Sequence, residues 1–529
     1  MPVIKDITTG KEVKCKKEDN LLAVLLQEKI YVNNACNGKG TCGKCKVIVK
    51  QGELSPMTIE EQEKLSEEDK ARGVRLACMV QVYGDCTVQT DADSKKMTVL
   101  ASGYIPEFEK DVEKEGYGVA IDIGTTTIAM SLVSMKTGEI VAREASMNGQ
   151  RTYGQDVLTR ITYEMESEGE GIHKLQEAVV DSINQGIYSM CQETGISHEE
   201  IVDFSIAGNC TMIHMLLGVD ARSIGVAPYK PTFLTAQEVK ASELGILASK
   251  EAKVYCLAQV SGYIGGDILA GAYVCDLEHQ KKSSLFIDIG TNGEMILAKD
   301  GKLFACSCAA GPALEGMNIT CGMPALPGAI ESVRVKNQEI LIGCIEEEPP
   351  KGICGSGILE VVAALVEQEF VKRTGAFVKE KKLEEGDWRR EFLVEEEGGT
   401  AFLLDKEHHI VVTQKDVRQV QLAKGAILSG FLSLTRQGEM KIEDLDEVII
   451  AGQFGSHLSA DALAGTGIIP MQVKDKVRYV GNTSKTGAYM ALLSRKVRRE
   501  MEELARKIEY FELAESEGYE QLFVESMRF

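Results

Sequence analysis

The stretch Cys36-Asn-Gly-Lys-Gly-Thr-Cys42-Gly-Lys-Cys45 places three cysteines at C-x5-C-x2-C spacing, and Cys78 follows in Val74-Arg-Leu-Ala-Cys78. Four thiolates, three of them on one tight loop, are what an iron–sulfur cluster needs. Glycines between them let the loop wrap the cluster and aim backbone N–H groups at sulfur. Zinc sites usually use two C-x2-C pairs. Only one such pair exists here, and Cys78 has no close partner except Cys86. Cys36, Cys42, Cys45 and Cys78 are therefore expected to carry a [2Fe–2S] cluster, ahead of zinc or ordinary thiols.

A second chemistry is written twice. Tyr117-Gly-Val-Ala-Ile-Asp122-Ile-Gly124-Thr125-Thr126-Thr127 reads as a buried strand, a tight turn and the start of a second strand. Leu285-Phe-Ile-Asp288-Ile-Gly290-Thr291-Asn292-Gly293-Glu294 repeats it in the second half of the chain, the mark of an internal duplication. A strand that breaks at Gly208 is likewise matched by one that breaks at Ala451-Gly452-Gln453-Phe454-Gly455. Backbone N–H groups and threonine hydroxyls of turns 122–127 and 288–293 can cradle phosphates. Asp122 and Asp288, the expected catalytic carboxylates, can hold waters on Mg²⁺, which keeps most of its hydration shell. Turn 451–455, with Gly452, Gln453 and Gly455, is expected to admit the base and ribose of ATP.

The elements that must position these residues fall into an α+β and α/β multidomain chain. In residues 1–92, a hairpin over 3–15 turns at Thr9-Gly10, and Asn20 caps a helix to Glu28. A strand over 46–52, a capping box Thr58-x-x-Glu61 and a strand over 82–88 complete a compact β-grasp-like module. Residues 93–116 read as a linker, which suits an electron carrier that swings between donor and acceptor. Residues 117–529 read as two α/β lobes, about 117–280 and 281–529, facing across a cleft. Val260–Gly271 is expected to supply a helix connecting them. Ser307, between Cys306 and Cys308, is a candidate contact to a partner or cofactor, against a buried turn. Gly352–Gly357 either offers N–H groups to a phosphate or packs a helix closely on a sheet. Residues 380–397, with the single tryptophan Trp388, read as a solvated charged insertion. Thr413 and Asp416 cap a helix running to about Leu434. Ser494 to Lys507 reads as a charged helix, before Tyr510-Phe-Glu-Leu and a final short helix.

With 529 residues, the chain is long enough for several domains. A formal net charge of −21 argues against nucleic acid as a partner. No signal-like start and no apolar run approaching a membrane span is present, so the fifteen cysteines are expected in a reducing cytoplasm.

The cysteine loop with its distant Cys78 resembles the [2Fe–2S] ferredoxins, in a long-loop variety, over about residues 1–92. Residues 117–510 resemble the superfamily of acetate and sugar kinases, the heat-shock chaperone ATPase and actin, with their ribonuclease-H-type lobes. By that resemblance, 122–127 and 288–293 match the two phosphate motifs and 448–455 the adenosine motif. The joint architecture resembles the reductive activators of corrinoid proteins in anaerobic methyltransferase systems. It is carried also by Ala309-Ala-Gly-Pro-Ala-Leu-Glu-Gly316 and Tyr510-Phe-Glu-Leu. The resemblance implies an ATP-dependent enzyme that returns cob(II)alamin of a corrinoid protein to cob(I)alamin, using an electron from an unknown low-potential donor. Ser307 is then the candidate corrinoid-facing residue, and a homodimer is an open expectation. The short linker departs from family members that carry additional segments there. Alternatives are an activator of a dehydratase, a small-molecule kinase with a redox-sensing domain, and a redox-responsive interaction module.

Overall fold

A computed structural model describes every residue except 9, 29, 31, 33–39, 41–44, 66, 91–103, 113, 168, 397 and 453–457, together with all side chains of those described but 63, 67 and 68. The N-terminal module is a five-stranded sheet of β1 (Val3–Asp6), β2 (Glu12–Lys14), β3 (Lys46–Leu54), β4 (Val74–Leu76) and β5 (Val82–Thr90), in the order β2-β1-β5-β3-β4. β1 and β5 run parallel and the other pairs antiparallel. The Asn20 side chain accepts from the Ala23 N–H to start the helix Leu21–Gln27, and Thr58 and Glu61 form the expected capping box. Glu61 is fully buried because it also takes the Arg75 guanidinium and the Leu76 N–H, which pins the strand leading into Cys78.

The rest of the chain repeats one sheet. The first copy is β6 (Tyr117–Ile123), β7 (Thr127–Ser134), β8 (Ile140–Met147), β9 (Ile201–Gly208), β10 (Gln237–Lys240) and β11 (Lys253–Cys256), in the order β10-β11-β9-β6-β7-β8. The second opens with β12 (Ser284–Ile289), β13 (Gly293–Lys299) and β14 (Lys302–Cys308). Two small three-stranded sheets interrupt it: β15 (Ala329–Lys336), β16 (Glu339–Cys344) and β17 (Gly352–Ile353), then β18 (Leu393–Glu396), β19 (Gly399–Asp405) and β20 (Ile410–Val412). It closes with β21 (Glu447–Ala451), β22 (Val477–Gly481) and β23 (Ile508–Tyr510), giving β22-β21-β12-β13-β14-β23. In both copies an antiparallel meander of three strands is joined by a parallel fourth.

The helices Gly266–Val274 and Thr483–Leu493 lie between the two sheets. One apolar cluster there joins Ala120, Val133 and Ala207 of the first sheet, Leu269 and Leu492 of these helices, and Phe286, Ile296 and Ile449 of the second sheet. Gly266–Val274 thus fills the connecting place expected for 260–271. A Cβ at Gly487 would stand 2.4 Å from that of Ala270, so the two central helices touch backbone to backbone. The outer faces are covered separately, by Gly171–Thr194 on the first sheet and by Gly355–Glu367 with Gln414–Gln437 on the second.

Several stretches differ from expectation. Residues 104–112, inside the expected linker, lie along the second lobe. Tyr104 N–H donates to Val480 O, Phe108 meets Tyr489 edge-on, and Asp111 accepts from the Arg495 and Lys496 N–H groups. Of the two readings given for Gly352–Gly357, close packing is the one seen: a Cβ at Gly355 or Gly357 would sit 1.9 Å from Leu314 O or Ile330 O. Trp388 in the charged insertion packs edge-on against Phe370, with ring centroids 5.3 Å apart. Near the C-terminal helix Tyr519–Ser526, the buried Lys424 ammonium donates to Ser526 O at 2.5 Å and to Arg528 O. No helix among the described residues is long and apolar enough to cross a membrane.

Candidate functional site

The duplicated hairpins meet in one cleft. It is lined by Asp122, Gly124, Thr125, Thr126, Thr127, Asn209, Asp267, Asp288, Gly290, Thr291, Asn292, Glu294, Glu315, Gly452, Asn482 and Ser484. The pairing register explains the symmetry. Asp122 stands opposite Ala207 on one side and Ala129 on the other. Asp288 stands opposite Ala451 and Glu294, and Glu294 in turn opposite Ser307. The two aspartates therefore occupy the same place in the two sheets. The second turn is one residue shorter, so Glu294 rather than a small residue continues the Asp288 row. Half-buried Ser307 extends that row, while Cys306 and Cys308 point into the core on the other face.

Each turn is held from outside. Arg160 is fully buried and donates to Thr125 O at 2.5 Å, Gly154 O at 2.9 Å and the Gln150 side chain at 3.1 Å. Burial, with Arg151 nearby, pushes its pKa down to about 9. Asn148 donates to Gly124 O, and Asn209, which caps the helix Cys210–Leu216, donates to the Thr125 hydroxyl. Asn482 and Ser484, at the start of the helix Thr483–Leu493, donate to the two Asp122 carboxylate oxygens at 2.7 and 2.6 Å. Gly452 has φ +97°, and a Cβ there would lie 2.7 Å from the Asp288 carboxylate. Only glycine lets this strand end come so close.

The electrostatics are lopsided. Asp122, Asp267, Asp288, Glu294 and Glu315 are all turned into the cleft. Burial, and then neighbouring carboxylates, raise Asp288 to about 8, and Glu294 well above its usual range. Burial and Asp122 raise Asp267 to about 7. Burial raises Asp122 too, offset by its bonds to Ser484 and Asn482. Buried carboxylates that repel one another are relieved by a cation. The Thr127 hydroxyl is buried in the cleft wall with no hydrogen-bond partner among the described residues, a donor that a phosphate oxygen would satisfy.

In the N-terminal module, Cys45 and Cys78 come together with sulfurs 3.2 Å apart, close enough to share one metal centre. Their backbones are tied by Ala77 N–H to Cys45 O, and Asn20 donates to Cys78 O. Cys36 and Cys42, like Gln453 and Gly455 of the adenosine turn, lie outside the described residues.

Asp267, Glu294 and Glu315 lie in stretches where no role was assigned to them, and Asn482, Ser484 and Arg160 were missed altogether. Asn482-Thr-Ser484 after a strand carried a helix-capping signal. Arg160 carried none.

The chain is similar to known proteins along its length. Residues 4–83 match the model of the 2Fe-2S iron-sulfur cluster binding domain, 117–280 that of the RACo middle region, and 282–529 that of the C-terminal domain of RACo, the ASKHA domain. The chain is 29% identical to the corrinoid activation enzyme RamQ of Eubacterium limosum, over 98% of this chain and 97% of that one. It is 26% identical to the [Co(II) methylated amine-specific corrinoid protein] reductase of Methanosarcina barkeri, over 77% of this chain and 76% of that one. A solved structure, "Reductive activator for corrinoid,iron-sulfur protein", is 30% identical, with TM-score 0.71, covering 100% of this chain and 98% of that one. A ferredoxin-type domain, two ribonuclease-H-type lobes with their acidic cleft, and full-length likeness to these enzymes lead to one assignment: the chain belongs to the RACo family of corrinoid reductive activators.

Proposed function

We propose that this chain uses ATP to drive one electron from its N-terminal module onto cob(II)alamin of a corrinoid protein, regenerating the cob(I)alamin of a methyltransferase system. The observation that carries the reading is the pair Asp122 and Asp288 at equivalent register in one cleft between duplicated lobes. Thr125, Thr126 and Thr127 of one turn, and Thr291 and Asn292 of the other, are the hydroxyl and amide donors for the phosphates. Asp122, fixed by Asn482 and Ser484, and Asp288 would hold hydrated Mg²⁺, which neutralises phosphate charge when bound. Cys36, Cys42, Cys45 and Cys78 would hold a [2Fe–2S] cluster, which supplies a one-electron carrier typically near about −400 mV. Each ~59 mV of shortfall against Co(II) costs about tenfold in the equilibrium. ATP can offset it only by binding open and closed lobes with different affinity. Closure that grips the corrinoid protein and weakens the lower cobalt ligand is the route we assign.

The test is anaerobic. The reduced protein is mixed with a cob(II)alamin-loaded corrinoid protein, and cob(I)alamin absorbance is followed with and without ATP and Mg²⁺. Co(I) is expected only with ATP, and the Cys42→Ala variant is expected to yield none. ATP consumption without Co(I) would refute the acceptor assignment.

A further inference from the structure

Glu315 stands apart from the other cleft carboxylates. It ends the short helical turn Pro312–Glu315 on the loop that leaves β14, within the Ala309–Gly316 stretch. Its side chain is only 6% exposed. One oxygen accepts from the Thr291 hydroxyl at 2.5 Å, the other from the Thr126 hydroxyl at 3.1 Å. Thr291 belongs to the turn of the second lobe, Thr126 to that of the first, so a single carboxylate ties the two phosphate turns together across the cleft. The loop is anchored on its own lobe, since Gly311 N–H donates to Thr291 O at 2.8 Å. Thr126 is anchored on the other, its carbonyl accepting from Asn148 N–H at 2.9 Å. Two backbones fixed separately are thus bridged through side chains alone, and side chains can exchange partners.

A carboxylate and a phosphate ask for the same thing, hydroxyl donors disposed about negatively charged oxygens. A threonine hydroxyl has one proton to donate. While Thr126 and Thr291 donate to Glu315, they cannot donate to a nucleotide. A phosphate between the turns must also face the negative charge of Glu315 at close range in a dry site, where charges are weakly screened.

We propose that Glu315 is an internal competitor for the terminal phosphate, a gate that ATP must displace to take the Thr126 and Thr291 hydroxyls. Its displacement breaks the bridge between the lobes and remakes it through the nucleotide. Glu315 thereby acts as a positioning residue that lowers the affinity of the two turns for triphosphate relative to diphosphate, because only the terminal phosphate has to displace it. This rests on the proposed use of ATP.

The experiment measures the affinity of the full-length protein for fluorescent analogues of ATP and ADP, with Mg²⁺, in wild type, Glu315→Ala and Glu315→Gln. Glu315→Ala frees two hydroxyls and removes one buried charge, so ATP is expected to bind about tenfold tighter, with ADP changed less than twofold. Glu315→Gln keeps a bridging acceptor without the charge and is expected to fall between. An unchanged ATP-to-ADP ratio in both variants, or weaker ATP binding, overturns the gate. Should Glu315→Ala not fold, as judged by its melting transition, Glu315→Gln decides alone, its ratio either rising or not. Failure of wild type to bind either nucleotide would instead refute the proposed function.

Discussion

Lys424 offers a sharp test of the packing in the second lobe. This residue is 2% exposed, on the helix Gln414–Gln437, and its ammonium donates to the carbonyls of Ser526 and Arg528. Among the described residues no carboxylate pairs with it, and burial lowers its pKa from 10.5 to about 8. Between those two values the unfolded chain binds the proton and the folded chain releases it. Stability must therefore rise with pH from about 8 to about 10.5. At about 1.4 kcal/mol per pH unit, the full contribution is at most about 3.5 kcal/mol. Below pH 8 both states are protonated, and the group contributes no slope. Trp388, the sole tryptophan, packs in the same lobe against Phe370, so its fluorescence reports on the packing around Lys424 as urea unfolds the protein. Wild type and Lys424→Met should be compared at pH 7, 8, 9 and 10. Other groups titrate in both proteins, so the difference between the two curves isolates Lys424. That difference should move toward wild type by about 2 kcal/mol, roughly two-thirds of the full linkage, between pH 8 and 10. Curves that stay parallel would refute the claim that Lys424 is buried as an unpaired cation.

Three further outcomes follow from the cleft. Asp122→Asn or Asp288→Asn should lower ATP turnover by about two orders of magnitude or more, while the visible absorbance of the iron–sulfur module is unchanged; phosphate-release assays and spectra on one sample check both. Asn482→Ala removes a helix cap and a hydrogen bond to Asp122, whereas Ser484→Ala removes only a hydrogen bond. Denaturation should find Asn482→Ala the less stable of the two, by about 1 kcal/mol. Arg160→Met leaves Thr125 O and Gly154 O without their donor, and should cost about 2–4 kcal/mol and weaken nucleotide binding in equilibrium titration.

The parts legible in the sequence are those where local chemistry leaves few choices. Three cysteines on a glycine loop, a strand that must turn at Asp-x-Gly-Thr, and a capping box each need only neighbouring residues. The duplication was legible because both hairpins solve the same turn. What escaped is what the tertiary fold brings in. Glu315 and Thr126 are 189 residues apart, and Asn482 reaches Asp122 across 360 residues; no spacing announces either. Glu294 could be placed only from the register, because the second turn is one residue shorter and shifts the following strand. Residues 104–112 look like linker because they lack periodicity. Their hydrogen bonds run largely to backbone groups at Val480, Leu493, Arg495 and Lys496, which any side chains could flank.

The central pair of helices carries an evolutionary consequence. Gly266–Val274 belongs by sequence to the middle region and Thr483–Leu493 to the C-terminal region, yet they touch at Ala270 and Gly487, and Gly271 sits on Phe286. The boundary between the two matched regions is therefore not a seam at which one half can be inherited or exchanged alone. Position 487 is already glycine, so residue 270 has no room to grow, and a larger residue at 271 must be met by a smaller one at 286, across the boundary. Chimeras that join the middle region of one relative to the C-terminal region of another should fold only when those pairs travel together.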